Sequence, residues 1–319
     1  MDKVTVAVVQ AGTVLFDNAR TLDKVRAYCD EAAHSGASLV VFPEAFVGGY
    51  PKGSSFGARV GSRTDAGRDE FRRYFEAAIT EQGPETAALG EIAARHRIHL
   101  VIGVVERAGQ TLYCCVFFFA PDGSLAGKHR KLMPTASERL IWGMGDGSTM
   151  PVIHTDFGVA GAAICWENYM PLFRTAMYAK GVTLWCAPTV DDREVWQHSM
   201  RHIAIEGRCF VLSACQYLVR SDCPPDYAPP AQGATDSAPD PVLINGSSVI
   251  VSPFGQVLAG PLRDSEGILT AELDLKEVAR GKFDLDSVGH YARSDVFSLS
   301  VNERANQSVT FATVERAEK

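Results

Sequence analysis

Short apolar runs recur along the whole chain, and segments with helical spacing stand between several of them; this alternation restricts the fold more than any other feature. Val4–Gln10, Ser38–Glu44, Leu100–Glu106, Tyr113–Ala120, Phe157–Cys165, Leu184–Pro188, Phe210–Gln216 and Ser248–Pro253 each predict a strand. Asn18–Ala33 spaces Leu22, Val25, Cys29 and Ala32–Ala33 as an amphipathic helix does. Pro84–His96, Leu172–Lys180 and Glu194–Arg208 also fit helices, and Pro121-Asp122-Gly123-Ser124 predicts the turn of a hairpin. Helices alternating with some strands, and hairpins joining others, imply an α/β class fold in which helices cover mixed sheets.

Two long segments interrupt the rhythm. Gly48 to Gly83 is Gly-rich and charged, with a helix expected over Asp69–Ala78. Ser221–Asn245 is Pro-rich and is expected to hold little regular structure. Loops this long in a compact domain usually serve binding or assembly. Neither separates two self-sufficient cores, so we expect one domain over residues 1–290 and a C-terminal tail over 291–319.

Composition narrows the function classes. With 31 Lys+Arg against 38 Asp+Glu the formal charge is −7, which disfavours broad contact with a phosphate backbone. The one basic cluster, Lys128-His129-Arg130-Lys131, is too short to change that. No apolar run approaches the roughly 18–20 residues of a membrane-spanning helix, and the N-terminus reads directly into a strand without a signal-peptide core. Eight cysteines without a secretion signal suggest free thiols in a reducing compartment, so a cytoplasmic location is expected. Cys114 and Cys115 should point to opposite faces of one strand.

Three reactive side chains stand at or just beyond the ends of apolar strands: Glu44, Lys131 and Cys165. Open α/β sheets place their sites there, because such side chains project past the packed layer. A thiolate can attack a substrate, a carboxylate can take the thiol proton, and a cation can stabilise the anion that forms. Each residue also has a plainer interpretation. A lone cysteine in an apolar strand is usually a small buried hydrophobe, a strand-end Glu is usually exposed, and a Lys in a basic run is usually solvated.

The wording of the segments decides between these. Phe42-Pro43-Glu44-Ala45-Phe46-Val47-Gly48-Gly49-Tyr50-Pro51 resembles the first signature of the nitrilase branch of the carbon-nitrogen hydrolases. His129-Arg130-Lys131-Leu132-Met133-Pro134-Thr135, continuing to Glu138-Arg139-Leu140-Ile141-Trp142-Gly143, resembles the second, and Cys165-Trp166-Glu167-Asn168-Tyr169-Met170-Pro171-Leu172 the third. Further blocks around Trp185–Thr189, His202–Phe210 and Val288–Tyr291 extend the resemblance over nearly the whole chain. It implies an αββα sandwich, two mixed sheets between helical layers, whose subunits pair through helices into a homodimer or larger homo-oligomer. It implies a small-molecule nitrile as substrate, Cys165 as nucleophile, Glu44 as general base, Lys131 as stabiliser of the tetrahedral intermediates and Glu138 as a second acid. No metal or organic cofactor is implied. Tyr50, Thr135, Trp142, Trp166 and Pro188 flank these residues and are expected to line the pocket. A cyanide-hydrolysing enzyme, an amidase or carbamoylase, and a catalytically inactive scaffold are the alternatives.

The chain departs from the family pattern at Asn245-Gly246-Ser247-Ser248, where Gly-Gly-Ser is common, and at Ser294, where Pro is common. Weaker motifs remain. Gly53-Ser54-Ser55-Phe56-Gly57 fits G-x-S-x-G but follows a loop rather than a strand. Gly143, Gly145 and Gly147 resemble a phosphate loop only by glycine count. His198 and His202, four residues apart, fit a helix surface better than a zinc pair.

Overall fold

The computed structural model describes residues 2–227, 240–307 and 309. The first half holds β1 (Lys3–Gln10), α1 (Asn18–His34), β2 (Leu39–Val41), α2 (Asp65–Ala77), α3 (Pro84–His96), β3 (His99–Ala108), β4 (Thr111–Phe119) and β5 (Leu125–Arg130). The second half holds β6 (Ile153–Thr155), β7 (Gly158–Ala162), α4 (Pro171–Ala179), β8 (Leu184–Cys186), α5 (Glu194–Gly207), β9 (Phe210–Ser213), β10 (Tyr217–Val219), β11 (Val242–Val251), β12 (Val257–Arg263), β13 (Gly267–Asp274) and α6 (Lys276–Gly281).

The strands form two mixed sheets. The first runs β13-β1-β2-β3-β4-β5 and the second β10-β11-β9-β8-β7-β6, with β12 beside β11. In each sheet two parallel pairings lie at the centre, β1-β2-β3 and β7-β8-β9, flanked by antiparallel neighbours. The core strands are apolar throughout because both their faces are covered. In β1, Val4, Val6 and Val8 face the layer between the sheets, while Ala7 and Val9 face outward onto Leu22, Val25 and Cys29 of α1 and Leu89 and Ile92 of α3. In β8, Leu184 and Cys186 face the inter-sheet layer, and Trp185 faces Phe173 and Met177 of α4 and Trp196 and Met200 of α5. Three apolar layers separated by two sheets make the αββα sandwich, as the sequence leads one to expect. Cys114 and Cys115 do point to opposite faces, one into the inter-sheet layer and the other under the helices.

Several elements differ from expectation. The strand expected over Ser38–Glu44 closes at Val41, since Pro43 has no N–H for the ladder, and the chain then crosses β3. The strand expected over Phe157–Cys165 closes at Ala162, and a 3-10 turn spans Cys165–Tyr169. Glu44 and Cys165 therefore stand on loops beyond their strands, not at the strand ends. The helix expected over Asp69–Ala78 begins earlier, at Asp65, where the Thr64 hydroxyl caps Gly67 N at 3.1 Å. Ser221–Asn245 is less irregular than its prolines suggest: Arg220–Asp222 is a 3-10 turn and Val242 opens β11, while residues 228–239 lie outside the described set. After α6 no further strand or helix occurs among the described residues. No helix among them is long and apolar enough to cross a membrane.

Candidate active site

Glu44, Lys131 and Cys165 meet between the two sheets, at the ends facing the loops after β2, β5 and β7. Glu44 and Lys131 are completely buried and Cys165 is 4% exposed. The Lys131 ammonium donates to Glu44 Oε1 at 2.6 Å and to Glu138 Oε2 at 2.8 Å, so one cation serves two carboxylates. The solvated position that a basic run suggests does not occur: Lys128 and Arg130 turn to the other face of β5 and share Glu106.

The two oxygens of Glu44 have different surroundings. Oε1 accepts from Lys131 and, at 3.5 Å, from the Cys114 thiol. Oε2 is buried and has no hydrogen-bond partner among the described residues, which leaves it free to take a proton. Burial and the neighbouring charge of Glu138 push the Glu44 carboxyl up to about 7, against the opposing pull of Lys131 and the Cys165 thiol. Burial also raises the Cys165 thiol well above its ordinary range, with the Glu44 charge adding to it and Lys131 and Thr189 opposing. Cys165 thus rests as a neutral thiol beside a carboxylate poised near neutrality. Burial works against the Lys131 charge, but Glu44 and the surrounding groups more than offset it and keep the ammonium protonated.

The backbone around the site is held in unusual conformations. Cys165 has φ 50°, Ala45 φ 47° and Ala136 φ 47°, left-handed values that L-residues adopt only where the surroundings enforce them. At Cys165 the enforcement is visible. Its N–H donates to Pro188 O at 2.9 Å, and the buried Asn168 amide donates to Cys165 O at 2.8 Å and Ala163 O at 2.9 Å. Trp185 Nε1 in turn donates to Asn168 Oδ1 at 2.8 Å. The elbow is built by buried polar groups and raises Cys165 Sγ to within 3.2 Å of the Thr189 hydroxyl, which donates to it. Lys131 N donates to Cys114 O at 2.8 Å and Gly145 N to Lys131 O at 2.8 Å. A Cβ on Gly145 would sit 2.2 Å from Arg130 O, so that glycine admits a close backbone approach. This is packing, and the phosphate-loop interpretation of the glycines falls away.

Of the residues expected in the pocket, Tyr50, Thr135 and Trp142 gather around Glu138. Tyr50 donates to Glu138 Oε1 at 2.8 Å, and burial together with the Glu138 and Glu44 charges keeps its phenol protonated. Thr135 N donates to Glu138 Oε2 at 2.6 Å, and the Thr135 hydroxyl oxygen is buried without a partner among the described residues. The Trp142 ring lies 5.8 Å from that of Tyr50 and 5.7 Å from the Lys131 ammonium. Pro188 contributes its carbonyl to the elbow. Trp166 departs from the group: it is 42% exposed, donates to Asp191 at 2.9 Å and lies under the Arg193 guanidinium.

Sequence reasoning missed Cys114, Glu167, Asn168, Thr189 and Gln216. Gln216 donates to Glu44 O at 2.7 Å from the opposite sheet. Glu167 and Asn168 sit inside the third signature, where the signal was a polar pair close to Cys165. The weaker motifs come to nothing. Ser55 is exposed on a loop, His202 faces Glu206 at 3.6 Å on the surface of α5, and among the described residues no group of three or more His, Cys, Asp or Glu could hold a metal.

The sequence profile of the carbon-nitrogen hydrolases matches residues 5–283. Nitrilase 2 of Arabidopsis thaliana is 56% identical over 99% of this chain and 94% of its own. A bifunctional nitrilase/nitrile hydratase of Nicotiana tabacum is also 56% identical, over 97% of this chain and 89% of its own. Among solved structures, Nit3 of Saccharomyces cerevisiae superimposes with a TM-score of 0.69 at 22% identity, covering 91% of this chain and 97% of its own. A carbon-nitrogen hydrolase of Helicobacter pylori gives 0.71 at 23%, covering 93% and 97%; both likenesses speak to the fold. Near-full-length identity above one half, joined to a buried Glu-Lys-Cys cluster on the matching signatures, places this chain in the nitrilase branch of the carbon-nitrogen hydrolase family.

Proposed function

We propose that the chain hydrolyses an organic nitrile to its carboxylic acid and ammonia, with Cys165 as nucleophile, Glu44 as base, and Lys131 and Glu138 completing the site. The carrying observation is the buried cluster itself: a thiol, a carboxylate with one oxygen unpartnered among the described residues, and an ammonium between two carboxylates.

Cys165 Sγ bonds to the nitrile carbon while the thiol proton passes to Glu44 Oε2 and on to the nitrile nitrogen, leaving a thioimidate. A first water gives a proton to Glu44 and its oxygen to the carbon. Lys131 stabilises the tetrahedral adduct, ammonia leaves, and a thioester remains. A second water, deprotonated by the same carboxylate, releases the acid and restores the thiol. Two waters are consumed for one ammonia. If the adduct expels sulfur instead of ammonia it yields the amide, the product implied by the name of the tobacco relative. Tyr50, Thr135 and Trp142 form the pocket wall on the Glu138 side, and Pro188 lies on the side of the nucleophile.

A panel of aliphatic, aromatic and arylacetic nitriles, with cyanide and simple amides, assayed for released ammonia and for amide tests this. Nitrile-dependent ammonia release that vanishes in Cys165→Ala but survives in Cys186→Ala supports it. Turnover of amides alone, or nitrile turnover by Cys165→Ala, refutes it.

A further inference from the structure

Lys131 and Cys165 belong to different sheets, so their separation is not set by either strand ladder. One buried side chain spans the gap. Glu167 Oε1 accepts from Leu132 N at 2.6 Å, next to Lys131, and Oε2 accepts from Ile164 N at 2.7 Å, next to Cys165. A third donor, His129 Nε2, reaches Oε2 at 2.9 Å from β5. We propose that Glu167, held by His129, is a positioning residue that sets the approach of Lys131 to Cys165.

The hydrogen-bond pattern shows how the bolt is kept charged. His129 Nδ1 lies 2.6 Å from Thr149 O, and a carbonyl only accepts, so Nδ1 carries a proton. Nε2 faces a carboxylate oxygen that already receives a backbone N–H, so it is a donor as well. An imidazole that donates from both nitrogens is an imidazolium. Burial works against that charge, but the Glu167 carboxylate and the Thr149 carbonyl hold His129 above its ordinary value. The Phe173 ring of α4 lies 5.4 Å from the imidazole, tilted by 36°. His129 and Glu167 are both almost completely buried, at 1% exposure each. A charge-assisted bond in such surroundings fixes geometry closely. Neither residue contacts the reacting atoms in the mechanism above, and the proposal rests on Lys131 and Cys165 acting together in that mechanism.

Glu167→Gln tests it. The amide has one acceptor for three donors, so at least one backbone N–H loses its partner and the two loops separate. Two readouts are taken on the full chain. One is kcat and KM on a nitrile that the wild type turns over. The other is the rate at which iodoacetamide alkylates Cys165, resolved peptide by peptide. With Lys131 drawn away, kcat should fall at least about a hundredfold with KM nearly unchanged, and alkylation of Cys165 should slow at least about tenfold because its thiolate loses a counter-charge. A merely structural role gives the opposite: a loosened fold exposes the thiols, so Cys165 and the seven other buried cysteines alkylate faster. That result, or an unchanged alkylation rate, overturns the proposal. Should Glu167→Gln fail to fold, His129→Gln keeps both backbone bonds to Glu167 and is expected to slow alkylation and turnover in the same sense, by a smaller factor. No change in either overturns it. A wild type that alkylates at Cys165 but releases no ammonia from any nitrile sinks the nitrile reading alone, and the alkylation comparison still judges Glu167.

Discussion

At the scale of the residue, Glu44 and Glu138 compete for a single ammonium, and that competition sets the pH range of the chemistry. In the proposed mechanism Glu44 must be ionised to take the thiol proton, and burial with the Glu138 charge raises it to about 7. Below that value Glu44 holds a proton and cannot accept another, so kcat/KM should fall roughly tenfold per pH unit on the acid side. Glu138→Gln removes the negative neighbour that raises Glu44, so the acid limb should move to lower pH even as kcat drops. A pH–rate profile of both proteins checks the sign; a limb that stays in place or moves upward counts against Glu44 as the base. The candidates Glu44, Lys131 and Cys165 were legible in the signatures around them. Which oxygen of Glu44 lacks a partner among the described residues was not, because that depends on Lys131 and Cys114 both reaching Oε1.

At the scale of the element, β3 is the support on which the Glu44 loop rests. Gly103 N donates to Pro43 O at 3.1 Å and Gly103 O accepts from Phe46 N at 2.8 Å, so the loop crosses the strand in backbone contact. A Cβ at Gly103 would stand 2.2 Å from Pro43 O and 2.7 Å from Glu44 Cα. Gly103→Ala should therefore push the loop away from Lys131, destabilising the fold by about 1–3 kcal/mol of overpacking, seen as a lower Tm, and lowering kcat by about 10² for a displacement near 1 Å. Thermal melts and steady-state kinetics on the variant test this, and a wild-type rate would show that the loop is not held by the strand. Helices at Asn18–His34, Pro84–His96 and Glu194–Gly207 were legible from spacing and capping. The strands β6, β10, β12 and β13 were not. β12 and β13 are largely exposed along one face, β12 lies at a sheet edge and tolerates Pro261, and β6 and β10 have three residues each. Such strands carry little apolar signal because their order comes from the neighbour they pair with.

At the scale of the molecule, the outer face leaves apolar side chains in water. Leu172 and Val195 are exposed on α4 and α5, and Phe283, Tyr291 and Phe297 are exposed along the chain after α6. Clustered exposed apolar surface on a helical layer marks an association face, so we expect a dimer or larger assembly, with the tail from Tyr291 as a contact segment. Sedimentation at micromolar concentration should show species heavier than the 34.5 kDa chain, and a Leu172→Glu/Val195→Glu variant should shift toward it. A single species near 34.5 kDa for the wild type would count decisively against the assembly. The sequence by itself determined the class of fold and the family, since apolar runs, helical spacing and contiguous signatures are local patterns. It also singled out Glu44, Lys131 and Cys165 as the candidate reactive residues. Only the tertiary structure decided that Lys131 is buried and shared between two carboxylates, that Cys165 stands on an elbow pinned by Asn168, and that Glu167 joins two sheets. Each of these depends on groups far apart in the chain, and their hydrogen bonds and desolvation exist only once the sheets have packed.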